Sequence, residues 1–155
     1  MYKTIALSAL AGSLALAACG GGSGGSGGGA LYGGPAPSPQ PSAQSLPIQQ
    51  TVGGGPAWVS PVNNHTLYYL DVDTSKGGQC TGGCLSVWLV FVPDAKTMAQ
   101  GGFTIVSRSD GTSKQVDYHS HPLYAYSGDS GADQSNGNGI PFAGGHWHVA
   151  RPNLK

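Results

Sequence analysis

His65-Thr66-Leu67-Tyr68-Tyr69-Leu70-Asp71-Val72-Asp73 recurs as His121-Pro122-Leu123-Tyr124-Ala125-Tyr126-Ser127-Gly128-Asp129. Both stretches follow H-x-L-Y-x-Φ-x-x-D, with Φ apolar or aromatic, at an offset of 56 residues. A second register accompanies the first: Trp88 with Pro93 returns as Trp147 with Pro152, 59 residues on. Self-similarity at a fixed period outranks local signals in assigning architecture. The folded part is therefore expected to be all-β, a small domain of two related repeats at about residues 57–93 and 103–153.

The chain between these landmarks fits that expectation. Period-2 or β-rich stretches run over 57–60, 66–71, 86–92, 103–109, 112–119, 123–127 and 146–151. Asp110-Gly111 separates two of them and is the strongest short hairpin signal. Residues 94–100 are the one plausible helical turn, with Asp94 as its cap. Residues 128–139 read as a polar Gly/Asp/Asn loop. Within the motif, Tyr124 and Tyr126 stand two apart and share one strand face. Asp129 and its counterpart Asp73 fall past the strand ends, where an Asp side chain can hydrogen-bond backbone N–H groups and fix a turn. The motif thus reads as an aromatic rib with a turn lock.

The start of the chain carries an address. Lys3 precedes a short apolar run, Thr4 to Ala15, too short to span a bilayer. Leu16-Ala17-Ala18-Cys19 resembles a lipobox, so residues 1–18 are expected to be a lipoprotein signal peptide and Cys19 the lipidated first residue. Acyl chains hold a protein at a membrane through about 0.8 kcal/mol per buried CH₂. Gly20 follows Cys19, which in a cell with two membranes favours the outer one. Residues 19–54, rich first in Gly and Ser and then in Pro, Ser and Gln, read as a flexible tether. That leaves 55–155 for a single folded domain.

Charge excludes one class of partner. Without Lys3 the net charge is about −1, all seven acids are Asp, and no basic run exists to hold nucleic acid. Outside the cytoplasm Cys80 and Cys84 are expected to form a disulfide that pins a loop.

These residues resemble the secreted-repeat lipoprotein family with a Y-x-[FWY]-x-x-D motif. Tyr124, Tyr126 and Asp129 match it fully; Tyr68 and Asp73 match it in the first copy, where Leu70 replaces the aromatic. Cys80-Thr81-Gly82-Gly83-Cys84 with Trp88 is similar to its C-x-G-x-C-x-x-x-W segment. Residues 108–118 are similar to its R-x-D-G-x-x-Q-v-x-Y hairpin, with one residue more between Gly111 and Gln115, and 142–147 to its F-x-G-G-x-W. Trp88-Leu89-Val90 departs from the family's Trp-Pro-Pro. The resemblance spans about residues 57–153. It implies an extracytoplasmic lipoprotein of small β repeats and carries no activity with it.

Chemistry has few candidates. His119-Ser120-His121 and His146-Trp147-His148 are H-x-H pairs, and on adjacent strands they would offer four imidazoles to Cu or Zn. No nucleophile elbow, phosphate loop or H-E-x-x-H occurs, so no enzyme is expected. The main expectation is a non-enzymatic binding or structural module, lipid-anchored in the cell envelope and facing another envelope protein, cell wall or a small ligand. Tyr68, Tyr124, Tyr126 and Trp147 would be its contacts if exposed. The alternative is a copper- or zinc-handling or redox accessory protein using His119, His121, His146 and His148.

Overall fold

The computed structural model describes residues 45–75 and 78–155; the expected signal peptide, Cys19 and most of the tether lie outside the described residues. The strands are β1 (Ile48–Val52), β2 (Gly55–Val59), β3 (Leu67–Leu70), β4 (Trp88–Val90) and β5 (Phe103–Ser107), then β6 (Lys114–Tyr118), β7 (His121–Pro122), β8 (Tyr124–Tyr126), β9 (Pro141–Phe142) and β10 (Gly145–Val149). A 3₁₀ turn, Gly82–Ser86, is the one helical element among the described residues. None of them forms a helix long and apolar enough to cross a membrane. The all-β expectation holds.

The repeats are intertwined. The central sheet has the order β4-β8-β3-β10-β9. At its middle the two motif strands pair with each other, antiparallel, Tyr68 opposite Tyr124. Each motif strand then takes the tryptophan strand of the other repeat: β8 pairs Trp88 with Tyr126, and β3 pairs Trp147 with Leu70. A pseudo-twofold axis therefore runs between β3 and β8. Backbone bonds obey it outside the strands as well. Asp71 N–H donates to His146 O as Ser127 N–H donates to Val87 O, and Ala150 N–H donates to Leu67 O as Phe91 N–H donates to Leu123 O.

The symmetry corrects one boundary. Trp58 N–H donates to Ala150 O as Val116 N–H donates to Phe91 O, so the hairpin β1–β2 is the counterpart of β5–β6. The first repeat thus starts at Ile48, inside the stretch expected to be tether, and Val52 is fully buried. Gly53 and Gly54 make the turn, both at positive φ (57° and 79°). That is the backbone a two-residue hairpin turn needs for its twist to match the strands.

Two other expectations shift. Residues 94–100 make no helix. Asp94 accepts from Lys96 N–H (2.8 Å) and the Thr97 hydroxyl (2.9 Å), and this local bonding closes a single turn instead. His119 and Ser120 leave the strand: at φ 47° and 70° they form the tight turn joining β6 to β7.

Apolar side chains on the two faces of the central sheet make two cores. One holds Tyr68, Leu70, Trp88, Tyr124 and Trp147 under β1–β2 and the cysteine loop. The other holds Leu67, Phe91 and Leu123 against Phe103, Val116 and Tyr118 of the second hairpin. Strand alternation does this sorting, since successive side chains of β3 face opposite ways.

Candidate functional site

At the axis the motif residues are exchanged between repeats. Tyr68 donates its hydroxyl proton to Asp129 Oδ2 at 2.6 Å, and Tyr124 donates to Asp73 Oδ2 at 3.3 Å. Each aspartate uses its other oxygen on a backbone N–H that follows it in the chain, Asp129 on Asn136 and Asp73 on Gln79. Both aspartates and both tyrosines are buried. Burial, and then the bond to Asp129, pushes the Tyr68 hydroxyl upward; burial and then Asp73 push Tyr124 up to about 12. The phenols therefore remain protonated donors at neutral pH. Above them Trp88 and Trp147 stack, centroids 3.7 Å apart. Gly137 passes beneath Trp88, where a Cβ would come within 2.7 Å of the ring. The 128–139 loop is thereby closed onto the core.

Beside this rib lies a buried polar group. Arg108 donates to both oxygens of Asp110, to Gln115 Oε1 (2.7 Å) and to the carbonyl of Cys80 (2.8 Å). The Arg108 bonds hold the Asp110 carboxyl well below the usual range. Cys80 and Cys84 are disulfide-bonded, Cα–Cα 5.3 Å, so Arg108 ties the cysteine loop of the first repeat to the hairpin of the second. Asp117 on β6 differs from all of these. It is fully buried and neither carboxylate oxygen has a hydrogen-bond partner. Burial first, then Asp73, pushes it up to about 7.

The four candidate histidines do not converge. His119 sits in the β6–β7 turn and packs edge-on against Tyr118, while His146 is exposed on β10 opposite Pro141. Strand β7 pairs with β6, and β10 with β3 and β9, so the two H-x-H segments are not neighbours. No three His, Cys, Asp or Glu side chains among the described residues stand as metal ligands do. The four-imidazole site of the alternative reading is not formed among the described residues.

What the fold does assemble is a cluster around Tyr69. Its ring lies between His121 and His148, with centroids 4.9 and 5.5 Å away. Asp71 holds His148 Nε2 at 3.2 Å with one oxygen and accepts from His146 N–H at 2.9 Å with the other. The bond from His146 N–H, ahead of the bond to His148, lowers the Asp71 carboxyl. Burial lowers His121 against the pull of Asp71.

This cluster breaks the repeat. The pseudo-twofold places Ala125 where Tyr69 is, Ser127 for Asp71, Leu89 for His148 and Val87 for His146. Setting the two copies side by side residue by residue would have found it; the shared motif, by construction, does not. The expected contacts fail for the converse reason. Tyr68, Tyr124 and Trp147 have no exposed surface at all, and Tyr126 is half-buried against Trp88, because the part shared by the two copies is the interior.

The class so defined is a disulfide-bearing all-β module of two intertwined repeats. Residues 104–151, most of the second repeat, match a family model described as a secreted repeat of unknown function. An extracytoplasmic location goes with that description. None of the curated proteins compared with the chain matches it, and none of the solved structures does.

Proposed function

We propose that the protein is a non-enzymatic binding module, held in the cell envelope by lipid on Cys19, that presents the Tyr69 face to its ligand. The observation that carries this reading is the break in symmetry. Interior positions of the repeats agree, whereas Tyr69, Asp71, His146 and His148 stand where the other copy has Ala125, Ser127, Val87 and Leu89. None of these counterparts is ionisable, so the shared frame does not need ionisable groups there. The side chains of Asp71 and His148 are about two-fifths exposed, so these groups stand where a ligand can reach them.

The test uses the full chain and replacements borrowed from its own other repeat, His148→Leu and Tyr69→Ala. A thermal-shift screen of envelope and cell-wall compounds should yield ligands that raise the melting temperature of the wild type only. At a hundred times its Kd a ligand adds about 2.7 kcal/mol of stability. In a domain of this size that is a rise of roughly 10 °C. Ligands that stabilise the variants equally would refute the assignment of this face. For the anchor, labelled palmitate should enter the wild type and not Cys19→Ser.

A further inference from the structure

Next to Tyr69 the surface opens into a cleft of about 330 Å³, lined also by Asn138, His148, Arg151, Asn153 and Lys155. That volume lies at the small end of the range for ligand sites. Two of its lining side chains carry a fixed positive charge and none of the side chains is acidic.

Arg151 is built in. Its Nη1 donates to the carbonyl of Pro56 at 3.0 Å and its Nη2 to that of Val52 at 3.5 Å. Gly55 makes room for it, since a Cβ there would lie 2.9 Å from Nη1. Carbonyls orient a guanidinium without neutralising it, and among the described residues Arg151 has no carboxylate partner. The equivalent position in the other repeat is Val92, so the charge is not part of the shared frame. Asp71 occupies His148 Nε2 at 3.2 Å, which leaves Nδ1 as the ring nitrogen for a ligand. Asn138 accepts from Val149 N–H through Oδ1, which leaves its NH₂ group to donate.

We infer that this cleft is a binding site for a small oxyanion, a carboxylate or phosphate group gripped by Arg151 with Lys155, His148 and the Asn138 amide. Arg presents paired donors in a planar fork that suits both oxyanions. The inference rests on the binding reading above and names the ligand chemistry for the same face.

The test is a titration of the isotope-labelled full chain with inorganic phosphate and, separately, with acetate, at constant ionic strength, followed by amide NMR. Saturable shifts are expected at Tyr69, Asn138, His148 and Arg151. Lys155→Gln and His148→Leu should each weaken binding several-fold, and Arg151→Gln more than tenfold. Because Arg151 also holds two backbone carbonyls, the first two variants keep the test valid if Arg151→Gln is unstable. Saturation by phosphate alone assigns a phosphate ligand, and by acetate alone a carboxylate. Shifts that never saturate, that centre on Lys96 and Lys114, or that persist in all variants overturn the inference. Absence of anion binding beside a screening ligand that depends on His148 would overturn this inference and leave the binding module standing.

Discussion

Trp88 and Trp147 occupy the same position in the two repeats, and they stack on each other with centroids 3.7 Å apart and planes 10° from parallel. Equivalent residues touch only at a symmetry axis, so this pair marks where one repeat meets its mirror in sequence. Around it each repeat lends the other a strand and a hydrogen-bond partner. Neither half has a complete sheet by itself. Removing either indole should therefore unfold both halves together. Trp147→Ala is expected to cost about 3–5 kcal/mol, read as a single cooperative transition in urea denaturation.

The tyrosine–aspartate exchange should be unequal. Tyr68 meets Asp129 at 2.6 Å, whereas Tyr124 meets Asp73 at 3.3 Å and also lies 3.4 Å from Arg108 Nη1. Tyr68→Phe strips a buried carboxylate of its shortest partner and is expected to cost about 2–3 kcal/mol; Tyr124→Phe should cost about 1 kcal/mol. Paired urea midpoints measure both.

Asp117 gives the protein a pH dependence of known sign. Its folded pKa, about 7, lies above its unfolded value of 3.8. The folded state then binds the proton more tightly, so this contribution is complete below pH ~4 and is lost as pH rises through ~7. Asp73, also raised by burial, acts in the same direction, and His121, lowered by burial, acts in the opposite one. Comparing wild type with Asp117→Asn cancels the His121 contribution and that of Asp73 apart from its coupling to Asp117. The variant should gain on the order of 3 kcal/mol relative to wild type between pH 4.5 and pH 8. A difference that does not change with pH would remove Asp117 from the account.

A change of boundary distinguishes the observed fold from the one expected at residue 55. Deleting through Gly54 removes β1, with it the buried Val52 and one carbonyl that holds Arg151. Chains starting at Ser45 should melt as the full chain does, and those starting at Gly55 should melt several degrees lower. Equal melting temperatures would return β1 to the tether.

Much of this fold is legible in the sequence because the motif repeats: strand type, the Asp110-Gly111 hairpin and the turn-locking aspartates follow from local pattern. Strand β1 is not, because Ile48-Gln49-Gln50-Thr51-Val52 buries only Val52 and shows no alternation, while Gly53-Gly54 is lost in a glycine-rich stretch. The exchange between repeats is not legible either, since a repeat says that two units match and nothing about which strand each pairs with. The H-x-H reading fails at one residue. His119 sits at positive φ, so His119 and His121 straddle a turn instead of sharing a strand face. The motif points to Leu67 and Tyr68 and leaves Tyr69, the one half-buried residue of β3, at an unspecified position.

The exchange itself is tested most directly by inter-strand NOEs in the monomeric full chain. Tyr68–Tyr124, Trp88–Tyr126 and Leu70–Trp147 contacts are expected across β3, β8, β4 and β10. Contacts of Leu70 with Trp88 and of Tyr126 with Trp147 as strand partners would contradict it, because each repeat would then be pairing within itself.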